Sequence, residues 1–320
     1  MTGKRLLEEN VSLKDYSFYQ IGGPAGYFLR AKNVEELSRG LKIWQQRFPA
    51  GRVFVLGSGT NVLFDDRGFG GLVIHPEIKF IQKTGKNSLE VGAAAKISEL
   101  LKYAVDNSLS GLEWAGGLPG TVGGAIFGNA GAFGAEFKGL VLSVKSFSLK
   151  NCRPIERFQK ECQFNYRSSI FKMKFPQEEI IVSAKLKFQP GNRDQILKEI
   201  EEKNLYRKKR QPLEYPSLGS TFKNVPLEKI PLKVQSQFKD KIKNDPFPLI
   251  PAAVFLSAAG LKGARRGGIE ISPKHPNFFV NLGQGKARDV RALIEFAQKK
   301  VRQKFGIVLE PEIIEAGRGL

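Results

Sequence analysis

The chain has 320 residues, of which 41% are hydrophobic, and its 51 lysines and arginines against 31 acidic residues give a formal net charge of +20. This hydrophobic content excludes intrinsic disorder and suffices for a substantial core in two domains or one large one. The sequence contains no long apolar run, and its first residues lack the apolar stretch of a signal peptide. We therefore expect a cytoplasmic protein that neither spans a membrane nor is exported.

Helical and strand patterns alternate irregularly along the chain. Apolar spacing predicts helices at 34–48, at 96–111 with Gly111 closing it, at 192–211 and at 286–304. Strands are predicted at 52–57, 71–76, 88–93, 140–149 and 178–188, around 268–282, and after Gly306. Because Pro212 and Pro216 interrupt the third helix, we place a domain boundary near residue 206. Helices and strands without regular βαβ alternation indicate an α+β fold rather than a doubly wound sheet.

The positive charge raises the question of nucleic-acid binding. The basic residues are spread over 208–211, 265–266 and 286–304 and form no long block. A diffuse charge suits a small anionic substrate as well as DNA, and no zinc-finger spacing, RNP-like strand or basic region with heptads is present. We expect no nucleic-acid partner and keep a basic nucleic-acid-binding protein as the alternative from another class.

The two cysteines, Cys152 and Cys162, have neither the number nor the spacing of a disulfide framework or a zinc site. We expect reduced thiols and no metal. The two histidines, His75 and His275, are expected to be structural.

A first glycine cluster, GSGTN, follows the strand predicted at 52–57. Its glycines permit a tight turn whose backbone N–H groups can hold a phosphate. The following residues continue with turn formers rather than a helical face, so the dinucleotide fingerprint does not fit. A plain strand-turn-strand connection is the alternative. The residues of this cluster are Gly57, Ser58, Gly59, Thr60 and Asn61.

A second cluster, GGLPGTVGGAIFGNAGAFGAE, places eight glycines among residues 116–136. Such a segment lets the backbone approach a bulky ligand and direct several N–H groups at a diphosphate, with side-chain hydrogen bonds from Thr121 and Asn129. Close packing of a helix on small residues is the alternative. The candidate ligand-binding residues here are Pro119, Gly120, Thr121, Gly123, Gly124 and Asn129.

Six motifs in order resemble those of UDP-N-acetylenolpyruvoylglucosamine reductases. They are GSGTNVL at 57–63, PGTVGGA with NAGAFG at 119–134, YRSSIFK at 166–172, GSTFKN at 219–224, AGLKG at 259–263 and LEPEI at 309–313. The resemblance extends from about residue 17 to residue 313.

The resemblance implies an FAD-binding domain of the vanillyl-alcohol-oxidase type at 1–205, in two subdomains of about 1–76 and 77–205, and a substrate-binding domain at 206–320. FAD would be noncovalent, because neither histidine lies in a glycine cluster, and both clusters would serve it. The implied reaction is the NADPH-dependent reduction of the enolpyruvyl group of a UDP-sugar by a monomer. Another flavin oxidoreductase of the same fold is the alternative enzyme.

The resemblance also implies roles for single residues. Arg167 and Glu312 match the pair that stabilises the intermediate formed after hydride transfer, and Ser220 matches the proton donor. An arginine suits that task because its planar fork fits a carboxylate and keeps its charge. Asn224 matches a substrate-binding position, and Tyr166 is also expected to bind substrate. We add Lys223 from its charge alone, as a contact to the diphosphate of the substrate.

Two segments depart from the family pattern. Phe18 and Gln20 stand where Thr and Arg are usual, which affects one flavin or packing contact near the N-terminus. Residues 225–251 form an extra segment between GSTFKN and AGLKG, whose prolines and lysines indicate a surface excursion, with a substrate lid or a partner site as alternatives. No equivalent of the tyrosine-bearing insertion of one subgroup is evident, so the chain resembles the subgroup without it.

Overall fold

A computed structural model describes residues 6–174 and 177–317 of the chain. Within those ranges no helix combines the length and the apolar character that a membrane crossing requires. The α-helices are Val34–Arg47 (α1), Ile97–Asp106 (α2), Val122–Gly128 (α3), Ile170–Met173 (α4), Arg193–Arg210 (α5), Leu232–Gln237 (α6), Ala252–Ala258 (α7) and Ala287–Phe305 (α8).

Most strands are short. In chain order they are Glu8–Ser12 (β1), Pro24–Ala31 (β2), Val53–Val55 (β3), Val62–Phe64 (β4), Phe69–Pro76 (β5), Ile81–Gly85 (β6), Ser88–Gly92 (β7), Leu109–Ser110 (β8), Gly131–Ala132 (β9), Ala135–Glu136 (β10), Val141–Ser148 (β11), Pro154–Phe158 (β12), Glu179–Lys187 (β13), Gln189–Pro190 (β14), Ser217–Ser220 (β15), Val225–Pro226 (β16), Lys243–Asn244 (β17), Pro248–Ile250 (β18), Arg265–Arg266 (β19), Ile269–Ile271 (β20), Phe278–Asn281 (β21) and Ile314–Ala316 (β22).

The part of the chain up to the end of α5, here called the first half, builds two main sheets, and the remainder is called the second half. One has the order β1-β2-β5-β3, in which β1 is antiparallel to β2 and the other neighbours are parallel. Helix α1 packs on this sheet closely enough that a Cβ at Gly40 would lie 2.6 Å from Leu29. The other sheet, β12-β11-β13-β7-β6, is antiparallel throughout. Residues of α2, α3 and α5 share one hydrophobic core with its strands.

The second half builds the antiparallel sheet β15-β21-β20-β19, whose core it shares with α7 and α8. The extra segment 225–251 adds a small antiparallel sheet, β16-β18-β17.

The two halves are tied together at two places. Tyr19, Ile21 and Leu63 from the first half are buried in the hydrophobic core of the second half. In the other direction, β22 leaves the second half and pairs in parallel with β4. The candidate site lies between the elements that these crossings hold together.

The predicted α+β fold is confirmed, and α1, α5 and α8 begin and end within about two residues of the sequence prediction. The predicted end of the helix at 96–111 was wrong. Helix α2 stops at Asp106 with Asn107 as its cap, and the chain enters β8 before it reaches Gly111. The final strand begins at Ile314, and the boundary that we propose near residue 206 falls within α5.

Candidate active site

A cavity of about 1430 Å³ lies between the two halves, and five of the six motifs, all except AGLKG, contribute residues to its lining. Pockets for one small molecule usually measure about 300–1,000 Å³. The volume therefore leaves room for a dinucleotide-sized cofactor together with a second ligand.

The first glycine cluster forms the turn between β3 and β4. Gly59 has a φ of +65°, and a Cβ there would lie 1.8 Å from the carbonyl oxygen of Tyr16, so packing by itself requires glycine at this position. The chain continues into strand β4, as expected from the misfit to the dinucleotide fingerprint. Ser58 lines the cavity, and its hydroxyl oxygen is buried and has no hydrogen-bond partner. A buried polar atom of this kind needs a ligand partner, and a nucleotide cofactor would supply one.

The second cluster contains a short helix that the sequence did not predict. Helix α3 begins after Thr121, whose hydroxyl caps it by accepting a hydrogen bond from the Gly124 N–H at 3.3 Å. A Cβ at Gly57 would lie 3.3 Å from the same hydroxyl, so the two clusters meet at this point. Thr121 and Gly57 therefore belong to one wall of the cavity.

Close packing explains some of the glycines in this cluster but not all of them. A Cβ at Gly116 would lie 2.6 Å from the carbonyl oxygen of Ile200, and one at Gly123 would lie 2.9 Å from Ala93, so close packing requires these two. At Gly128, which lines the cavity, a Cβ would have no atom within 4 Å. That open space suits close approach of a ligand to the backbone.

Asn129 is placed differently from the expectation. It is fully buried in a left-handed conformation at the end of α3. Its side chain donates to the carbonyl of Asn165 at 3.0 Å and accepts from the N–H of Lys138 at 3.1 Å. Direct contact of its side chain with a cofactor does not fit this geometry, because the amide already holds the backbone of its own loop.

Arg167 and Glu312 form an ion pair in the cavity wall. The Nε of Arg167 lies 2.9 Å from Oε1 of Glu312, and each side chain is 20% exposed. A second nitrogen of the same guanidinium donates to the carbonyl of Gly131 at 2.8 Å. Arg167 has a φ of 53°, a left-handed conformation that is uncommon for a residue with a Cβ. The guanidinium is thus held in one orientation by partners from two distant segments.

Backbone pairing brings Ser220 and Glu312 to the same place. The N–H of Glu312 donates to the carbonyl of Thr221 at 2.8 Å, so GSTFKN and LEPEI lie side by side. The side chain of Asn61 donates to the carbonyl of Glu312 at 3.1 Å, which ties the first glycine cluster to the same residue. A bulge in β15 separates the pairing of Ser217 with Val280 from that of Ser220 with Phe278, and Ser220 lines the cavity.

Lys172 is a cation of the site that sequence reasoning missed. It lines the cavity and donates to the carbonyl of Arg167 at 3.0 Å, because the single turn of α4 returns it to that residue. Burial lowers the pKa of Lys172 from its ordinary value, against the opposing effect of Glu312. Its place in the motif YRSSIFK was the available signal.

The three residues expected to bind substrate divide into two groups. Tyr166 and Asn224 both line the cavity, and the N–H of Asn224 donates to the Tyr166 hydroxyl at 3.3 Å. Burial raises the pKa of Tyr166. Lys223 instead forms an ion pair with Glu310 away from the cavity lining, so its expected contact with the diphosphate does not fit the structure.

The extra segment is more than a surface excursion. Its strands β17 and β18 and their connection place Lys243, Asp245 and Pro246 in the cavity lining. Phe247 packs edge-on against Tyr166, with ring centroids 5.1 Å apart. The segment therefore forms one wall of the site, next to a residue expected to bind substrate.

The remaining residues singled out in the sequence lie around the same cavity or in the core. Phe18 and Gln20 line its edge, and the N–H of Phe18 donates to the carbonyl of Gly59 at 3.1 Å. His75 lies 3.0 Å from the carbonyl of Leu56 through Nδ1, consistent with a structural role. Burial raises the pKa of the Cys162 thiol to about 11, which makes it unreactive at neutral pH.

Comparisons with known proteins agree with this geometry. A family model of the UDP-N-acetylenolpyruvoylglucosamine reductase C-terminal domain matches residues 211–315, and a model of an FAD binding domain matches residues 25–147. A UDP-N-acetylenolpyruvoylglucosamine reductase of Lachnoclostridium phytofermentans is 35% identical over 310 residues, covering 95% of this chain and 91% of the relative. The enzyme of the same name from Caldicellulosiruptor saccharolyticus is 36% identical over 303 residues, covering 94% and 89%.

A solved structure gives the same result. The crystal structure of UDP-N-acetylenolpyruvylglucosamine reductase from Thermus caldophilus superposes with a TM-score of 0.75 at 30% identity, covering 96% of this chain and 98% of that one. The match over nearly the whole of both chains includes both halves that line the cavity.

Proposed function

Because the chain belongs to the UDP-N-acetylenolpyruvoylglucosamine reductase family, we propose that its cavity binds FAD and a UDP-sugar together and that its Arg167, Glu312 and Ser220 act on the sugar's enolpyruvyl group. The chain is an FAD-containing oxidoreductase of peptidoglycan precursor synthesis. Its reaction converts UDP-N-acetylglucosamine enolpyruvate to UDP-N-acetylmuramate. NADPH is the proposed hydride donor.

The observation that carries the assignment is the ion pair of Arg167 and Glu312 in one cavity with Ser220. When bound, FAD would supply a hydride for the vinyl carbon farther from the substrate carboxylate. The carbon next to the carboxylate then becomes electron-rich and must be stabilised and protonated. Each of these two tasks has a matching group in the cavity.

Arg167 supplies the cation for the substrate carboxylate. Its fork is held by Glu312 and by the carbonyl of Gly131, so little reorientation is needed when charge develops on the substrate. Glu312 acts together with Arg167 by holding its guanidinium at the place of the substrate carboxylate, and Lys172, which donates to the carbonyl of Arg167, adds a second positive charge to the same wall. The buried setting strengthens these interactions relative to water.

Ser220 is the proposed proton donor to the electron-rich carbon. A serine hydroxyl is a weak acid, so it can act only when it is positioned directly over a strongly basic centre. The bulge in β15 and the bonds of Asn277 to the neighbouring Phe222 fix the backbone that carries it. Position rather than a shifted pKa makes Ser220 suitable.

Anaerobic stopped-flow absorbance tests the proposal directly. NADPH should bleach the flavin, and UDP-N-acetylglucosamine enolpyruvate should then restore the absorbance rapidly, whereas UDP-N-acetylglucosamine, which lacks the enolpyruvyl group, should not. A flavin that NADPH reduces but the enolpyruvyl sugar leaves reduced would mean that the substrate is wrong.

We also propose that the enzyme works as a monomer in the cytoplasm, with FAD held mainly by residues 1–205 and substrate mainly by 206–320. Size-exclusion chromatography with light scattering at catalytic concentrations checks the oligomeric state.

A further inference from the structure

Buried polar atoms without a partner are concentrated at the cavity. In the described part of the chain, six buried side-chain atoms lack a hydrogen-bond partner, and five of them belong to residues that line the cavity. Those five residues are Ser58, Glu136, Gln177, Arg207 and His275. A bound ligand would satisfy atoms of this kind. Arg207 is the one among the five that carries a permanent positive charge.

Arg207 is built into the wall rather than lying on the surface. It belongs to the last turn of α5 and is only 8% exposed. Its Nε donates to the carbonyl of Gly116 at 2.7 Å. Gly117 has a φ of +72°, and a Cβ there would lie 3.0 Å from Cδ of Arg207, so the glycine leaves the space that the arginine fills. With Nε engaged and the chain packed, the orientation of Nη2 is set.

The charge of Arg207 has no counterion in the described residues. No carboxylate there forms an ion pair with its guanidinium, and Lys203, one helical turn earlier, is another cation. Both groups lie over the ring of Phe133, with Cζ of Arg207 5.4 Å from its centroid. Burial lowers the pKa of Arg207. A buried, unpaired positive charge is costly, and an anionic ligand would remove that cost.

The surroundings indicate which ligand supplies the anion. Arg207 contacts Gly116, Gly117 and Phe133, all of which belong to the second glycine cluster. Residues 119–121 of the same cluster meet the first cluster at Gly57, the residue next to Ser58. The contacts of Arg207 are therefore with the cofactor wall of the cavity and not with GSTFKN or LEPEI.

We propose that Arg207 is a cofactor-binding residue whose free Nη2 donates to an oxygen of bound FAD that carries negative charge. Two parts of FAD offer such an oxygen, the diphosphate and the pyrimidine edge of the flavin ring, and the experiment separates them. The proposal rests on the proposed function, because it assumes that FAD occupies the cavity.

The test measures FAD binding to apoprotein by quenching of flavin fluorescence in wild type, Arg207→Gln and Arg207→Lys. Loss of a buried charge-assisted hydrogen bond is expected to weaken binding by about 10- to 100-fold in Arg207→Gln. Arg207→Lys should recover part of the loss, because it restores the charge without the fork. Arg210→Gln is the matched control, because it removes another cation from the same end of the helix. The guanidinium of Arg210 lies 4.7 Å from the ring centroid of Tyr206. This variant should bind FAD as wild type does.

Riboflavin binding and the midpoint potential of bound FAD identify the oxygen. If Nη2 binds the diphosphate, Arg207→Gln should bind riboflavin as wild type does and keep the same potential. If it binds the pyrimidine edge, riboflavin affinity should fall by the same factor, and the potential should become more negative because negative charge on the reduced ring loses its cation. Either result supports the proposal.

The opposite result is equally clear. An Arg207→Gln protein that is less stable to urea but binds FAD with wild-type affinity and potential would show that Arg207 only holds Gly116, and the proposal would be wrong. A different result, wild-type apoprotein that binds no FAD, would contradict the proposed function itself.

Discussion

Replacing Ser220 by alanine should separate the two halves of the reaction. The variant removes one hydroxyl from a half-buried side chain, while the backbone around it is still held by the carbonyl and the side chain of Asn277. Unfolding free energy should therefore change by no more than about 0.5 kcal/mol. Flavin reduction by NADPH should stay within about twofold of wild type, because Ser220 has no role in that step.

Reoxidation by the enolpyruvyl sugar should fall by about 10²- to 10⁴-fold, which corresponds to about 3–5 kcal/mol of activation free energy. Single-turnover stopped-flow absorbance measures both steps in one preparation. Ser217→Ala is the matched control, because Ser217 lies on the same strand and lines the same cavity. Ser220→Cys should restore part of the rate, since a thiol can also donate a proton. Equal loss of both half-reactions in Ser220→Ala would refute the assignment.

Four other substitutions test other parts of the site. Burial lowers the pKa of Lys172, so this side chain loses its charge at a lower pH than an ordinary lysine does. The KM for the UDP-sugar should therefore rise as the pH passes through that pKa. In Lys172→Gln the KM should depend less on pH. Between that lowered pKa and 10.5, Lys172 keeps its proton in the unfolded chain but has lost it in the folded protein. The free energy of unfolding of wild type, measured with urea, should therefore increase with pH relative to that of Lys172→Gln. Phe247→Ala should raise the KM for the UDP-sugar by about 2- to 10-fold through loss of its packing on Tyr166, with flavin reduction unchanged, and an unaltered KM would remove the extra segment from substrate binding. Gly59→Ala should destabilise the protein by about 3 kcal/mol, since its Cβ would lie 1.8 Å from a carbonyl oxygen, whereas Gly128→Ala should leave the urea midpoint unchanged and weaken FAD binding.

The sequence predicted elements whose cause is local. Helices α1, α5 and α8 were predicted correctly, because local signals act within one segment: an apolar stripe in α1 and α8, and the Asn192 cap with few apolar residues in α5. Helix α3 was missed, because glycine has poor helix propensity and the helix forms on the Thr121 cap and on packing against Ala93. Tertiary contacts rather than propensity decide such a segment.

The candidate site shows the same division. The motifs selected Arg167, Glu312 and Ser220, and the structure places all three at one cavity. Charge alone selected Lys223, which was wrong because pairing of its segment with LEPEI directs it to Glu310. Lys172, by contrast, reaches the cavity through a single helical turn that the sequence pattern did not reveal. The direction of Lys223 thus depended on a contact between segments far apart in the chain, whereas that of Lys172 depended on a local turn.

The bond between Asn61 and Glu312 has a consequence for synthesis of the enzyme. The two residues are separated by 251 positions. At translation rates of about 5–20 residues per second, the glycine turn emerges roughly 13 to 50 seconds before its partner exists. Until then β4 lacks the strand with which it pairs, and Arg167 lacks its carboxylate. A ribosome-bound chain can therefore fold its early sheets, yet the proposed catalytic centre is completed last, so an interrupted translation product would lack the complete cavity.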